Sequence, residues 1–158
     1  MVKPIPQDFD VVIDAPFGAV GINIESDCVV GVYLLETRQK AREVISSYAQ
    51  NVSHQMTQYF MQAEARFDIL YATSGTLFQK RVWEAISAIP VGEVLTYAEL
   101  AEKVGSGPRA VANACGANKL PLLIPCHRVV AKNGLGGFMQ GVEGGLAIKK
   151  WLLTHESN

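Results

Sequence analysis

The chain has 158 residues, of which 49% are hydrophobic and 18% are charged, a balance that excludes a disordered protein and allows a folded core. The formal net charge of -1 does not by itself favour a nucleic-acid binder. No run approaches the roughly 20 apolar residues that a membrane-spanning helix requires, and the first residues lack a signal-peptide pattern. We therefore expect a cytoplasmic protein that does not bind a membrane.

The charges are divided unevenly between the two halves of the chain. Residues 1–73 contain 5 Lys and Arg against 9 Asp and Glu, whereas residues 74–158 contain 9 against 6. This asymmetry is a modest indication that the second half meets a polyanion. Chance variation on solvated surfaces explains the asymmetry about as well.

The cysteines and histidines favour neither a disulfide framework nor a metal site. The three cysteines are odd in number and widely spaced, and no CxxC pair occurs. The three histidines do not complete a zinc-ligand spacing. We therefore expect no structural metal.

Apolar patterns in the first half predict a small antiparallel sheet followed by helices. Residues 9–13 and 20–24 alternate, with turn residues between them. The denser apolar run over Cys28–Leu35 predicts a central strand that is buried on both faces. Two helices are predicted over 39–49 and 55–63, and an extended segment over 67–74 then leads to a boundary near Gly75.

The second half is helical in pattern. Thr76 predicts the start of one helix, which ends near residue 90, and Thr96 with Glu99 forms a capping box for the next. A tight turn over 105–108 leads to a third helix over 109–117 that is rich in Ala and Gly. This outline is typical of a helix-turn-helix, although many two-helix corners bind nothing. A helix with such small side chains predicts weak sequence preference.

The segment that carries the chemistry is centred on Cys126. A buried structural cysteine is the ordinary interpretation of a cysteine in an apolar run. Here Pro125 fixes the backbone before the thiol, His127 can accept a proton, and Arg128 brings positive charge. Such neighbours lower the pKa of a thiol, and the thiolate is the nucleophilic form. Because adjacent side chains diverge, adjacency alone does not place the imidazole of His127 on the sulfur, and a contact bridged by a water is the alternative.

The sequence Pro-Cys-His-Arg-Val at 125–129 resembles the active-site motif of the O6-alkylguanine-DNA alkyltransferase family. Residues 75–83 resemble the start of that family's catalytic domain, residues 89–97 its helix-turn-helix lead-in, and residues 144–156 its closing helix. The likeness covers about residues 74–156, in order and with compatible spacing. The residues before it resemble the family only in outline.

The resemblance implies an α/β (α+β) fold with two domains. Residues 1–73 would form a small antiparallel sheet with helices, similar to ribonuclease H. Residues 74–158 would form a mostly helical, winged helix-turn-helix-like domain for catalysis and DNA binding. The implied function is single-turnover DNA repair, in which a monomer without cofactor irreversibly transfers the alkyl group of O6-alkylguanine, or of O4-alkylthymine, in double-stranded DNA to Cys126.

The resemblance also implies catalytic roles. Cys126 would be the nucleophile, and His127 would act through a water as the base for its thiol. Glu156 would orient His127 as the third member of a relay. Tyr97 would donate a proton or a hydrogen bond to the departing guanine. Asn118 would bridge the recognition helix to the cysteine loop.

DNA contacts and a substrate pocket are implied as well. Arg109 matches the family's finger residue, which enters the base stack when the damaged nucleotide is flipped out. Further DNA contacts are expected from Thr96, Ala110, Asn113 and Arg128. The expected pocket residues are Val129, Phe138 and Gly144.

Taken without the family, several of these residues have plainer interpretations. His155-Glu156 is typical of a frayed surface, Tyr97 of a core or rim residue, and Arg109 of a surface charge at a helix start. Lys149-Lys150 indicates a solvated face, and Cys28 and Cys115 indicate small buried side chains.

Two other functions compete with alkyl transfer. A non-catalytic sensor of alkylated DNA with a similar fold would lack the nucleophilic cysteine, which this chain has at position 126. A cysteine hydrolase unrelated to DNA would need an oxyanion hole and gives no reason for the helix-turn-helix.

Overall fold

The first half of the chain folds into a three-stranded antiparallel sheet. A computed structural model, which describes residues 8–40, 46–138 and 144–157, pairs β1 (Val11–Ala15), β2 (Gly18–Glu25) and β3 (Cys28–Leu35) in that order. Ser26 and Asp27 form the turn between β2 and β3 with positive φ angles of 50° and 55°. Two-residue turns of this kind match the strand twist and fix the register of the hairpin.

The strand order corrects one prediction. β2 is the middle strand, so the prediction that β3 is central is wrong. β3 is apolar for another reason, because later parts of the chain cover its outer edge. The N–H of Val29 donates to the carbonyl of Leu70 at 3.1 Å, and the N–H of Val32 donates to the carbonyl of Lys119 at 2.9 Å. The segment predicted to be extended over 67–74 runs beside this edge and forms a parallel bridge at Tyr71.

One helix covers most of the region for which two were predicted. α1 runs over Ser47–Met61, and the hydroxyl of its cap Ser46 accepts the N–H of Ala49 at 3.0 Å. The predicted break between residues 49 and 55 is wrong, because neither Gly nor Pro interrupts the turn there and the buried stripe continues through it. That stripe contains Ala49, Val52, Met56 and Tyr59. The predicted helical positions Ala41, Val44 and Ile45 lie outside the described residues.

The helices of the second half lie where the sequence predicts them. α2 (Leu77–Ser87) and α3 (Tyr97–Val104) each start with a threonine capping box. α3 ends at Gly105, whose φ of 68° lies in the left-handed region that favours glycine. α4 (Pro108–Gly116) follows after this short turn and completes the predicted helix-turn-helix.

The remaining elements close around the cysteine segment. A single 3₁₀ turn (Cys126–Arg128) leads into β5 (Val129–Val130), which pairs in parallel with β4 (Leu95–Thr96). α5 (Gly145–Glu156) packs against the 3₁₀ turn. The fold is therefore mixed α/β, with a small antiparallel sheet followed by a mostly helical half, as predicted.

Both halves contribute to one hydrophobic core. Ile22 and Met56 from the first half belong to the same buried cluster as Ile86, Leu100 and Leu152 from the second. The division into domains over 1–73 and 74–158 stays a prediction. Within the part of the chain that the structure describes, no helix combines the length and apolar character needed to cross a membrane.

Candidate active site

Cys126 begins the 3₁₀ turn and is buried, with 8% of its surface exposed. A tight loop holds it: the N–H of Cys126 donates to the carbonyl of Ile124 at 2.7 Å. The same carbonyl accepts Nδ2 of Asn118 at 3.0 Å, while Oδ1 of Asn118 accepts the N–H of Leu120 at 2.9 Å. Asn118 therefore ties the residues after α4 to the cysteine loop, in the place where the bridging role was predicted.

Glu156, at the end of α5, is brought to the residues that follow the cysteine. His127 Nε2 donates to Glu156 Oε2 at 2.9 Å, and Arg128 binds both carboxylate oxygens, from Nε at 2.8 Å and from Nη2 at 3.0 Å. The Tyr59 hydroxyl donates to Oε2 at 2.6 Å. Burial alone would raise the pKa of Glu156, but these donors together outweigh it and hold the pKa well below its usual range.

His127 is oriented by that carboxylate. Because Nε2 donates to Glu156, Nδ1 is left as the acceptor nitrogen. Nδ1 is buried and contacts no hydrogen-bonding partner among the described residues. Burial lowers the pKa of His127, although Glu156 opposes the shift, so the neutral ring is favoured and its Nδ1 is free to accept a hydrogen bond.

Lys149 on α5 lies fully buried beside the cysteine segment, so the prediction of a solvated face is wrong for it. Its Nζ donates to the carbonyl of Val129 at 2.7 Å and to that of Gly137 at 2.8 Å. Burial lowers the pKa of Lys149 to about 8, opposed by Cys126 and Cys115. Burial raises the pKa of Cys126, and Asn118 and Lys149 oppose that increase. A cation therefore lies in electrostatic reach of the candidate nucleophile.

Aromatic rings line the space around this lysine. Lys149 Nζ lies 6.0 Å from the centre of the Tyr97 ring and 5.9 Å from that of Phe138. The Tyr97 hydroxyl is 3.5 Å from the carbonyl of Gly137, a long contact. A Cβ on Gly136 would lie 2.7 Å from a ring carbon of Tyr97, so this close approach requires glycine.

The other predicted pocket residues lie at the edges of this space. Val129 and Phe138 are buried, and Gly144 caps α5 with a φ of 80°. Residues 139–143, part of the predicted pocket loop, lie outside the described residues. Cys115 from α4 is electrostatically coupled to Cys126, and burial raises its pKa to about 12. No pattern in the sequence indicated that Cys115 lies near the site.

Most of the predicted DNA contacts lie on the helix-turn-helix. Arg109 and Asn113 are exposed and four positions apart on α4, while Ala110 is half-buried between them. Thr96 caps α3 and is half-buried. The α4 cap Gly107 has no side chain to accept the first N–H groups of the helix, which can therefore face an anion.

Arg128 is not part of that surface. It is buried, and its guanidinium donates to both oxygens of Glu156 and, at 2.6 Å, to the carbonyl of Ile89. The prediction of a DNA contact for Arg128 is therefore wrong. A guanidinium held in this way acts as an internal brace between the 3₁₀ turn, α5 and the end of α2.

Comparisons with known proteins agree with this geometry. The family profile described as 6-O-methylguanine DNA methyltransferase, DNA binding domain, matches residues 77–158. The methylated-DNA–protein-cysteine methyltransferase of Methanosarcina acetivorans is 34% identical over 155 residues, which cover 93% of this chain and 97% of that protein. The protein of the same name from Salmonella typhimurium is 44% identical over 108 residues, covering 66% of this chain and 61% of that protein. The match thus spans less than two thirds of the Salmonella protein.

A solved structure extends the likeness over both halves of the chain. The crystal structure of Mycobacterium tuberculosis OGT in complex with DNA has a TM-score of 0.76 to this fold and 33% sequence identity. The likeness covers 92% of this chain and 91% of that one. With its helix-turn-helix, its buried cysteine and the carboxylate behind the adjacent histidine, this chain belongs to the O6-methylguanine DNA methyltransferase family.

Proposed function

We propose that the protein repairs DNA by moving the alkyl group of O6-alkylguanine, and also of O4-alkylthymine, onto the sulfur of Cys126. The observation that carries this proposal is the arrangement of His127 and Glu156 next to Cys126. His127 presents a buried Nδ1 that has no hydrogen-bond partner among the described residues, while its Nε2 lies 2.9 Å from Glu156. This arrangement can accept one proton from the adjacent thiol through a water, and it needs no metal or organic cofactor.

The transfer step follows from these groups. His127 takes the thiol proton through a bridging water, and the sulfur electron pair attacks the alkyl carbon. The bond between that carbon and O6 breaks, and its electrons remain on the guanine. Tyr97 donates a hydrogen bond or a proton to the departing base, which lowers the energy of the leaving group. Guanine is restored, and the protein carries a thioether.

The electrostatics support this sequence of events. The depressed pKa of Glu156 keeps the carboxylate charged at neutral pH, so it can stabilise the imidazolium that forms on His127. Lys149 opposes the burial that raises the pKa of Cys126 and so favours the thiolate. Water does not displace a thioether, so each molecule would act once.

The helix-turn-helix is the proposed DNA-binding surface. Thr96, Ala110 and Asn113 would contact the backbone of double-stranded DNA, and Arg109 would fill the stack left by the flipped nucleotide. Flipping costs a few kcal/mol and less for a poorly paired base, which favours the alkylated guanine. Binding through phosphates predicts strong salt dependence and little sequence preference. Since one chain supplies every proposed group, we propose that the protein acts as a monomer. We also propose that it acts in the cytoplasm.

Intact-protein mass spectrometry tests the proposal. The protein is incubated with duplex DNA that contains one O6-methylguanine, and the product is mapped by peptide analysis. A stoichiometric gain of one CH₂ on Cys126 is expected, with no turnover. Cys126→Ala should abolish the gain and retain binding to the same duplex. Tight binding by the unaltered protein without any mass gain would instead support a damage sensor, and neither binding nor gain would favour a hydrolase.

A further inference from the structure

Tyr59 contacts the proposed relay from the opposite half of the chain. It lies on the buried face of α1 and is 2% exposed. Its hydroxyl donates to Oε2 of Glu156 at 2.6 Å across 97 sequence positions. The same oxygen accepts Nε2 of His127. Tyr59 is therefore bonded directly to the atom that orients the histidine.

The donors around Glu156 approach from different parts of the structure. From the 3₁₀ turn, Arg128 donates to both carboxylate oxygens and His127 donates to Oε2. Tyr59 approaches from α1. Arg128 also ties this turn to the carbonyl of Ile89, so these two donors hold the carboxylate from the second half of the chain alone. A donor on a separate helix fixes Oε2 relative to the rest of the protein.

The end of α5 is held at Tyr59 through a second contact. The carbonyl of Tyr59 accepts Nε2 of His155 at 2.7 Å, next to Glu156 in sequence. The His155 ring stacks on Trp151 with centres 4.7 Å apart and meets the Tyr59 ring edge-on at 5.3 Å. Phe67 packs against Tyr59 at 5.3 Å. Neighbouring residues of α5 are thus attached to one residue of α1, which leaves the hydroxyl little freedom.

The Tyr59 hydroxyl also keeps its proton. Burial and the neighbouring charge of Glu156 both raise the pKa of Tyr59 far above the neutral range. It therefore stays protonated near neutral pH and acts as a donor to Glu156. Of its contacts, the hydrogen bond to Glu156 is the one that links it to the proposed relay.

We propose that Tyr59 is a positioning residue for alkyl transfer, which holds Oε2 of Glu156 where His127 needs it and makes α1 part of the catalytic apparatus. The inference rests on the proposed function. It gives the first half of the chain a direct role in the chemistry, in addition to its share of the core.

A double-mutant cycle tests the inference on the full chain. The variants are Tyr59→Phe, Glu156→Gln and the two together, and the measurement is the rate of methyl transfer from O6-methylguanine duplex to Cys126. Tyr59→Phe removes one oxygen atom and should slow transfer about tenfold, the order expected for loss of one hydrogen bond to a charged group. In the Glu156→Gln background the same change should have no further effect, because the oxygen that it positions has been replaced. Equal slowing in both backgrounds would overturn the inference.

Tyr48→Phe is the matched control. Tyr48 lies on the same helix, but its hydroxyl donates to the carbonyl of Leu70 and accepts from the N–H of Val29 at the edge of β3, and it is not bonded to Glu156. This variant should lose stability, measured by urea unfolding, while it transfers at the unaltered rate. If Tyr48→Phe and Tyr59→Phe slow transfer equally, a general effect of α1 packing replaces the proposed role.

The pH dependence separates positioning from mere packing. The charged groups near His127 are Glu156, Arg128 and Lys149, with Tyr59 bonded to the first. Without the Tyr59 donor, Oε2 becomes a stronger acceptor and the pKa of His127 rises. Since transfer needs neutral His127, the acid limb of the rate profile should move to higher pH in Tyr59→Phe. An unchanged limb and an unchanged rate would overturn the inference, whereas no transfer by the unaltered protein would overturn the proposed function itself.

Discussion

Lys149 is a single side chain that joins three parts of the pocket. From α5 it reaches the carbonyl of Val129 after the cysteine turn and that of Gly137 in the following loop. The sequence suggested a solvated face because two lysines are adjacent. A signal was present nonetheless, since the helical period places position 149 on one side with Ile148, Leu152 and Glu156, all of them buried.

Replacing this lysine should slow the reaction. In Lys149→Met the two carbonyls lose their donor and Cys126 loses the nearby positive charge. We expect the rate of methyl transfer to fall at least about tenfold, which corresponds to about 1.4 kcal/mol in the barrier. The exposed neighbour provides the control, because Lys150→Met should transfer at the unaltered rate. Equal rates for both variants in a single-turnover assay would show that Lys149 is dispensable.

The residues that the sequence identified most directly are those with local signals. Cys126 and His127 stand side by side in a distinctive motif, so both could be identified without knowledge of the fold, although their relative orientation could not. The partners of Glu156 are different, because Tyr59 is 97 positions away from it and Arg128 is 28 positions away. No periodicity or spacing encodes such contacts. For that reason Tyr59 was missed, and Arg128 was assigned to DNA.

At the scale of helices and strands, the predicted helix starts are confirmed where contacts between residues close in sequence determine them. The starts of α2 and α3 are set by Thr76 and Thr96, each of which bonds to the N–H three residues later. The position of β3 in the sheet was misjudged because an apolar pattern reports burial and does not identify the neighbour. Coverage by Leu70 and Lys119 buries an edge strand as effectively as another strand would.

The proposed role of α4 in opening the base stack can be tested at Arg109. Arg109→Ala should slow repair of duplex DNA at least about tenfold, because the flipped state loses the side chain that fills the stack. Reaction with the free alkylated base should hardly change, since no stack is opened there. Lys150→Ala, which removes an exposed cation from α5, should leave both reactions unaltered. Equal slowing of both substrates by Arg109→Ala would remove its proposed stack-filling role.

At the scale of the whole molecule, the shared core predicts that the two halves unfold together. Met56 on α1 is fully buried, so Met56→Ala should destabilise the protein by about 2–5 kcal/mol. Both tryptophans, Trp83 and Trp151, lie in the second half. Their fluorescence should nevertheless shift to lower urea concentration by the same amount as the far-UV circular dichroism. Separate transitions for the two signals would support independent domains divided near residue 74.

The sequence separation between His127 and Glu156 also has a consequence during synthesis of the protein. The ribosome delivers the sheet and α1 first, then the cysteine turn, and the carboxylate 29 positions after the histidine. A nascent chain therefore contains the nucleophile before it contains the group that orients the base. In the proposed single-turnover reaction, we expect this order to delay alkyl transfer until α5 has docked, so that a half-made chain is not consumed.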